Sequence, residues 1–443
     1  MGYIRAPMDA SQIDGPAAER SATPLVRSLG AWGLALLVIN GVIGAGIFGL
    51  PGKAAAEAGA ASPLVFLVCG ALLVPVVLSF AQVSSLFRGS GGPMLYAKEA
   101  FGPATGFLTG WAFYVTRVSA SAANLGLMVT SLQFVSEGVA TGAARQVVLF
   151  ALCAGMVAVN VVGTRRAIRA VGVLTLLKAV PLFALVAVGL WREPGCLLVD
   201  PVLPEGGDFG AAVVLVVYAF VGWETGLVPA GEAQDPARDM PKALVLGLLG
   251  ITALYVLIQA VAVASLPDLA QSDSPLVDVG AALFGTAGGL LLMMGVVVSV
   301  GGNVLSATFS MPRLTFAMGE DGLLPSWFAK VDPRFGTPAR SIVVYGALVF
   351  ALASMGTFRW LAEVSVLSRL LLYLAGVLAL PRLRRRMDLP VRSPVAVALP
   401  LVAAVICVLG MTQVGGRAAA TTGGFLLVGL VLYLAGPARA RPR

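Results

Sequence analysis

Apolar stretches of about 20 residues recur about a dozen times along this chain, and that is the length one helix needs to cross a bilayer. The pattern confines the fold to an all-α polytopic membrane protein, because a helix satisfies its backbone hydrogen bonds within the segment that spans. Composition points the same way: 58% of the 443 residues are hydrophobic and 12% are charged, and the mean hydropathy is +0.91. No run is polar enough to form a separate soluble domain. A net charge of +8 would suit a nucleic-acid partner, but the basic residues sit in short loops between spans, where they set orientation. Cys69, Cys153, Cys196 and Cys407 stand singly and there is no histidine, so neither a disulfide framework nor a metal site is expected.

The hydropathy pattern predicts spans at 31–59 (broken), 63–87, 104–136, 146–162, 168–191, 209–232 (broken), 241–266, 277–318, 340–357, 361–381, 394–414 and 420–436. The chain then divides into a tail over 1–30 without a cleavable signal pattern, a five-helix set over 31–192, a second over 209–381, two further helices over 394–436 and a tail over 437–443. An even number of crossings puts both termini on one face. Most of the 30 Lys and Arg lie in the tails and loops of that face, including Arg165, Arg166, Arg169, Arg382, Arg384, Arg385 and Arg386. Both termini are therefore expected to be cytoplasmic, in a cell (inner) membrane protein.

Two of the spans carry interruptions. Residues 41–52 read GVIGAGIFGLPG, where Gly44 and Gly46 flank Ala45 and leave the backbone almost without side-chain cover. Unwinding there bares N–H and C=O groups that cost several kcal/mol each in lipid unless protein, a cavity or a ligand satisfies them. A small zwitterion suits such a break, its carboxylate on the N–H groups opening the second half-helix and its ammonium on the carbonyls ending the first. Close packing of small residues is the alternative. A matching interruption, YAFVGWETG over 218–226, brackets Glu224 between Gly222 and Gly226 in the sixth span. Each broken span is the first of five, and five is odd, so the two sets enter the membrane from opposite faces, as an inverted repeat does.

These segments carry a resemblance. GVIGAGIFGLPG, GGPMLYAKEAFGP at 91–103, FVGWETGLVPAGEAQDPARDMPKAL at 220–244 and MPRLTFAMGEDGLLPSWFAKVDPRFGTPAR at 311–340 are similar to hallmark segments of the amino acid–polyamine–organocation (APC) family of transporters. The likeness covers spans one to ten, and Met94 stands where relatives often have an aromatic residue. It implies the LeuT-like fold of 12 transmembrane helices in a 5+5 inverted repeat, with two C-terminal helices added, and alternating access through a site between the broken helices 1 and 6. Carried onto this chain, it places a substrate carboxylate at Ile43, Gly44, Ala45 and Gly46, and the ammonium at the backbone of Ala219, Phe220 and Val221.

Four charges lie inside spans. Lys178 sits about ten residues past Ile168, roughly 15 Å into the fifth span and deeper than its stem can snorkel. It must face a partner or a cavity. The resemblance puts a lysine at this place in members that do without sodium, where an ammonium substitutes for the cation. Proton coupling or exchange is therefore expected, with a fixed charge pinning the first helix as the alternative. Glu224 matches an acidic position linked with pH response in some members. Arg117 and Arg369 cannot shed their charge, so each needs a carboxylate or a wet cavity. Either could pair with Glu224 or meet an acidic substrate group.

Three basic groups against one acidic group disfavour a polyamine or other cationic cargo and leave neutral or acidic amino acids. Side-chain selectivity would come from Ser121, Asn124, Trp223, Asn303, Ser306 and Ser365, although Ser and Asn also bridge packed membrane helices. LPGK at 50–53 lacks the strand and the Ser or Thr of a phosphate loop, and no paired carboxylates, metal ligands or nucleophile with a base occur in the spans. An enzyme or a nucleotide-driven pump is not expected, nor any cofactor. A ligand-binding sensor or assembly subunit that does not transport, and a channel, are the other classes compatible with the pattern.

Overall fold

The computed structural model describes residues 31–87, 92–162, 178–198, 202–224, 236–389 and 394–436. Arg165, Arg166, Arg169, Gly226 and both expected tails lie outside these residues. In chain order the helices are α1 (Ala31–Val42), α2 (Gly46–Ala58), α3 (Ser62–Ser84), α4 (Gly92–Phe101), α5 (Pro103–Ser131), α6 (Gly142–Val162), α7 (Ala179–Arg192) and α8 (Phe209–Phe220). They continue as α9 (Pro236–Ser265), α10 (Pro275–Phe284), α11 (Thr286–Glu320), α12 (Ala339–Met355), α13 (Phe358–Arg386), α14 (Pro394–Thr412) and α15 (Gly416–Ala435). No strand occurs among the described residues. Among the described residues, six helical stretches are long and apolar enough to cross a membrane, and further apolar helices are shorter.

Three boundaries differ from those the hydropathy pattern predicts. The single span expected over 277–318 is two helices, α10 and α11, separated at Gly285, which takes φ +68° and ψ −161°. A hydropathy window does not register a one-residue reversal made by a residue that is itself neither apolar nor charged. The loop expected after the second span holds the helix α4, with Tyr96 and Ala97 buried. The span expected over 104–136 is helical only to Ser131 and finishes in 3-10 turns.

The helices pack as two groups. In one, α1 and α3 lie along α9, α2 lies along α8, and α3 touches α8; in the other, α5, α6, α11 and α12 contact one another. Helix α13 joins them, packed against α5 on one side and against α3 and α8 on the other. Phe66, Phe80, Phe220, Tyr255 and Tyr373 are fully buried in the resulting core. Leu401, Val405, Leu409, Leu427 and Val431 are more than half exposed on α14 and α15, the kind of surface that lipid covers. Small residues let the backbones approach: a Cβ on Gly376 would meet the Phe80 ring, and one on Gly429 the Trp111 indole.

Candidate functional site

Helix α1 stops at Val42 and α2 begins at Gly46, leaving Ile43, Gly44 and Ala45 outside regular helix. The carbonyls that end α1 are capped by side chains from distant parts of the chain. Lys178 Nζ donates to the Ile43 carbonyl at 2.6 Å. Ser299 Oγ on α11 donates to the carbonyls of Gly44 at 3.3 Å and Ile43 at 3.5 Å, and the Tyr255 hydroxyl on α9 reaches that of Val42 at 3.3 Å. The N–H groups of Gly44, Ala45 and Gly46 have no acceptor among the described residues, as the first N–H groups of a helix do not. The break therefore has filled acceptors on one side and open donors on the other, a polarity that receives a carboxylate.

The second interruption follows Phe220. Val221 is extended (φ −80°, ψ 152°), and Gly222 takes φ +115°, a conformation closed to other residues at reasonable cost. The two breaks touch. A Cβ on Gly46 would lie 2.6 Å from Ala219 Cα, and one on Gly222 would run into the Gly41 carbonyl oxygen. Gly222→Ala is accordingly expected to abolish production of folded protein, checked by gel filtration in detergent, since both the φ angle and the contact forbid a methyl group.

Beside Gly44 lies an amide pair: Asn124 Nδ2 on α5 donates to Asn303 Oδ1 on α11 at 3.3 Å, and Asn303 Nδ2 is 3.4 Å from where a Cβ on Gly44 would be. Tyr218 completes the group, its hydroxyl 2.6 Å from Asn124 Oδ1 and 3.1 Å from the Ala120 carbonyl. Ser121 is occupied by the Tyr345 hydroxyl at 2.8 Å, and Ser365 Oγ donates to the Thr116 carbonyl at 3.1 Å. Both bridge helices in this arrangement. Ser306, expected beside the cavity, is exposed on α11 and takes no part in the group: the turn of roughly 60° from Asn303 carries it over the edge of the face that meets α5. Trp223 is buried edge-on to Phe80 at 5.2 Å and against Tyr373 at 5.1 Å, so it packs inside the bundle and does not face lipid.

Of the two arginines, Arg369 takes Glu224. Its Nη1 donates to Glu224 Oε1, while Glu224 Oε2 accepts from the Gly222 N–H at 3.0 Å and the Tyr373 hydroxyl at 3.3 Å. The carboxylate so fixes the turn that ends α8. At one end of the site the Phe358 ring packs edge-on to Tyr218 at 5.8 Å and lies 3.1 Å from where a Cβ on Gly49 would be. Beyond it Arg359 bridges Glu57 of α2 and Glu363 of α13 at 2.8 and 3.1 Å. Nothing in the sequence marks Tyr218, Tyr255, Ser299 and Phe358 as parts of a site. Their one signal there is a polar or aromatic group within a turn or two of a break, which ordinary core residues share.

A helix broken at 43–45 meets the end of a second helix inside an apolar helical bundle, an arrangement that fits a polytopic membrane permease. The chain belongs to the amino acid permease family, whose pattern it matches over residues 29–435. The serine/threonine exchanger SteT of Bacillus subtilis is 29% identical to it, covering 79% of this chain and 82% of its own length. The branched-chain amino acid permease BcaP of the same organism is 28% identical, covering 94% of each chain. An uncharacterized transporter of Mycobacterium tuberculosis, Rv1999c, is 31% identical over 76% of this chain and 75% of its own. The protein is an integral membrane permease and not an enzyme.

Proposed function

We propose that this protein is a secondary transporter of L-amino acids that works by alternating access without sodium, driven by protons or by exchange. The reading includes 12 spans in a 5+5 inverted repeat and cytoplasmic termini. The observation that carries it is the contact between the two breaks: open N–H donors at Gly44–Gly46 lie beside the extended backbone after Phe220. An amino acid bridging them puts its carboxylate on the donors and its ammonium on the carbonyls of 219–221. The relatives named as amino acid carriers support this cargo. At the end carrying Phe358, Arg359 ties α2 to α13, and this is the outer end if the basic loops face the cytoplasm. Release then requires the two helix groups to move relative to one another on the cytoplasmic side.

Lys178 supports independence from sodium. Its ammonium lies on the Ile43 carbonyl, with the Ser299 hydroxyl on the neighbouring one, so a positive charge already occupies the oxygens a cation would use. Reconstituted protein is expected to accumulate labelled amino acid under a pH gradient or an opposing amino acid gradient. Sodium-dependent uptake with no response to either gradient overturns the proposed coupling. Lys178→Ala is expected to lower gradient-driven uptake at least tenfold while the purified protein still shows a ligand-induced thermal shift, because the lysine supports the break without contacting the carboxylate. Ligand binding without any flux would instead identify a sensor.

A further inference from the structure

Among the described residues, the charged side chains buried in the molecule are Arg117, Lys178, Glu224 and Arg369. Lys178 is engaged at Ile43 and belongs to the first break. The remaining three form one cluster between α5, α13 and the end of α8, and its charges do not balance. Both oxygens of Glu224 are taken, one by Arg369 and the other by Gly222 and Tyr373. Arg369 is fully buried, yet its Nε and Nη2 find no acceptor among the described residues. Arg117 is 9% exposed and has no carboxylate within salt-bridge distance among them. The nearby groups that act on it are Arg369, which repels it, Glu224, and the neutral hydroxyls of Tyr218 and Tyr345. The Tyr345 hydroxyl bonds the Arg117 backbone carbonyl at 3.0 Å, so it adds no counter-charge.

An arginine cannot be neutralised by losing its proton, and an unpaired cation held away from water is strongly unfavourable. Charge left uncompensated inside a membrane protein faces a water-filled cavity or marks the path of a substrate. The cluster adjoins the first break through α5 and Tyr218. Arg117, Ser121 and Asn124 are spaced to share one face of α5, and Asn124 meets Asn303 beside Gly44. Tyr218, bonded to Asn124, lies within electrostatic range of both arginines.

We propose that Arg117 and the free edge of Arg369 form a second anion site that receives a side-chain carboxylate, so that the cargo is an acidic amino acid. This rests on the reading of the two breaks as an amino acid site and adds the class of substrate. The α-carboxylate takes the donors of Gly44–Gly46, and the second carboxylate neutralises the arginine pair. Neutral amino acids would leave the guanidinium groups uncompensated, which is the basis of the discrimination.

The test is a thermal-shift and uptake panel on the full chain, with L-glutamate, L-aspartate, L-glutamine, L-asparagine, L-serine and L-leucine. Acidic amino acids are expected to stabilise the protein at concentrations at least tenfold below those required of their amides. Arg117→Gln is expected to reverse that preference toward L-glutamine, and Arg117→Lys to keep the acidic preference at reduced affinity. If Arg117→Gln does not yield monodisperse protein, the Arg117→Lys affinities decide the matter. Preference for neutral amino acids in the wild type, an acidic-to-amide ratio unchanged in Arg117→Gln, or an affinity for acidic amino acids unchanged in Arg117→Lys overturns the acidic assignment and leaves the amino acid site standing. Stabilisation by chloride alone, with no amino acid preference, also overturns it. No binding or uptake of any amino acid overturns the amino acid site itself.

Discussion

Gly46→Ala is expected to abolish amino acid uptake and the ligand-induced thermal shift together, whereas Gly44→Ala weakens them far less. The added methyl on Gly46 would lie 2.6 Å from Ala219 Cα and 3.1 Å from both Ala219 N and the Tyr218 carbonyl oxygen. All three are backbone atoms, so no rotamer change makes room. The contact opens only if α2 and α8 move apart, and that takes the two breaks out of register. Overpacking a well-filled site costs about 1–3 kcal/mol even where side chains can yield. At Gly44 the nearest neighbour of a methyl is Asn303 Nδ2 at 3.4 Å, the end of a side chain with room to shift. Gly44→Leu should nonetheless abolish the shift, because a branched chain there fills the space before Asn303 that the carboxylate needs. A full-sized shift in Gly44→Leu would move the site elsewhere.

The second large effect is expected at the buried ion pair. Arg369→Met leaves the Glu224 carboxyl enclosed without its guanidinium partner, held only by a backbone N–H and the Tyr373 hydroxyl, and breaking such a pair from one side costs about 3–5 kcal/mol. The melting temperature in detergent should fall steeply, and the turn at Gly222 should lose its position, since the same carboxylate holds that N–H. Glu224→Gln should be nearly as damaging, because it leaves Arg117 and Arg369 together with no anion. The double variant Glu224→Gln, Arg369→Met removes both charges. It is expected to recover most of the lost stability without recovering transport. Additive losses in the double variant would show that the two side chains act separately, contrary to the geometry.

The interruptions were legible in the sequence because glycine is placed where backbone must meet backbone. Gly46 against Ala219 and Gly222 against Gly41 are such contacts, and no side chain is compatible with either. The intramembrane charges were legible for a similar reason: Lys178, Glu224, Arg117 and Arg369 break apolar runs at a cost that must be met somewhere. The polar partners were not legible. Tyr218, Tyr255 and Ser299 sit in apolar helices where a hydroxyl is equally at home bonding its own backbone, as Ser79, Ser119 and Thr252 do in this protein. The division at Gly285 was hidden because the apolar run continues on both sides of it.

The sequence by itself determined that this chain is an α-helical membrane protein whose helices stop at Val42 and Phe220, and that it carries a surplus of buried positive charge. Desolvation and backbone freedom are properties of residue types, and they can be read wherever the residue stands. Only the tertiary structure decided which arginine takes Glu224, which side chains cap the first break, and which serines are spent on holding helices together. Those outcomes depend on how each helix is rotated against neighbours far away in the chain: Arg369 reaches Glu224 across 145 positions, and Lys178 reaches Ile43 across 135. A helix turned by one residue sweeps its side chains through about 100°, so such pairings are set by packing and not by local pattern.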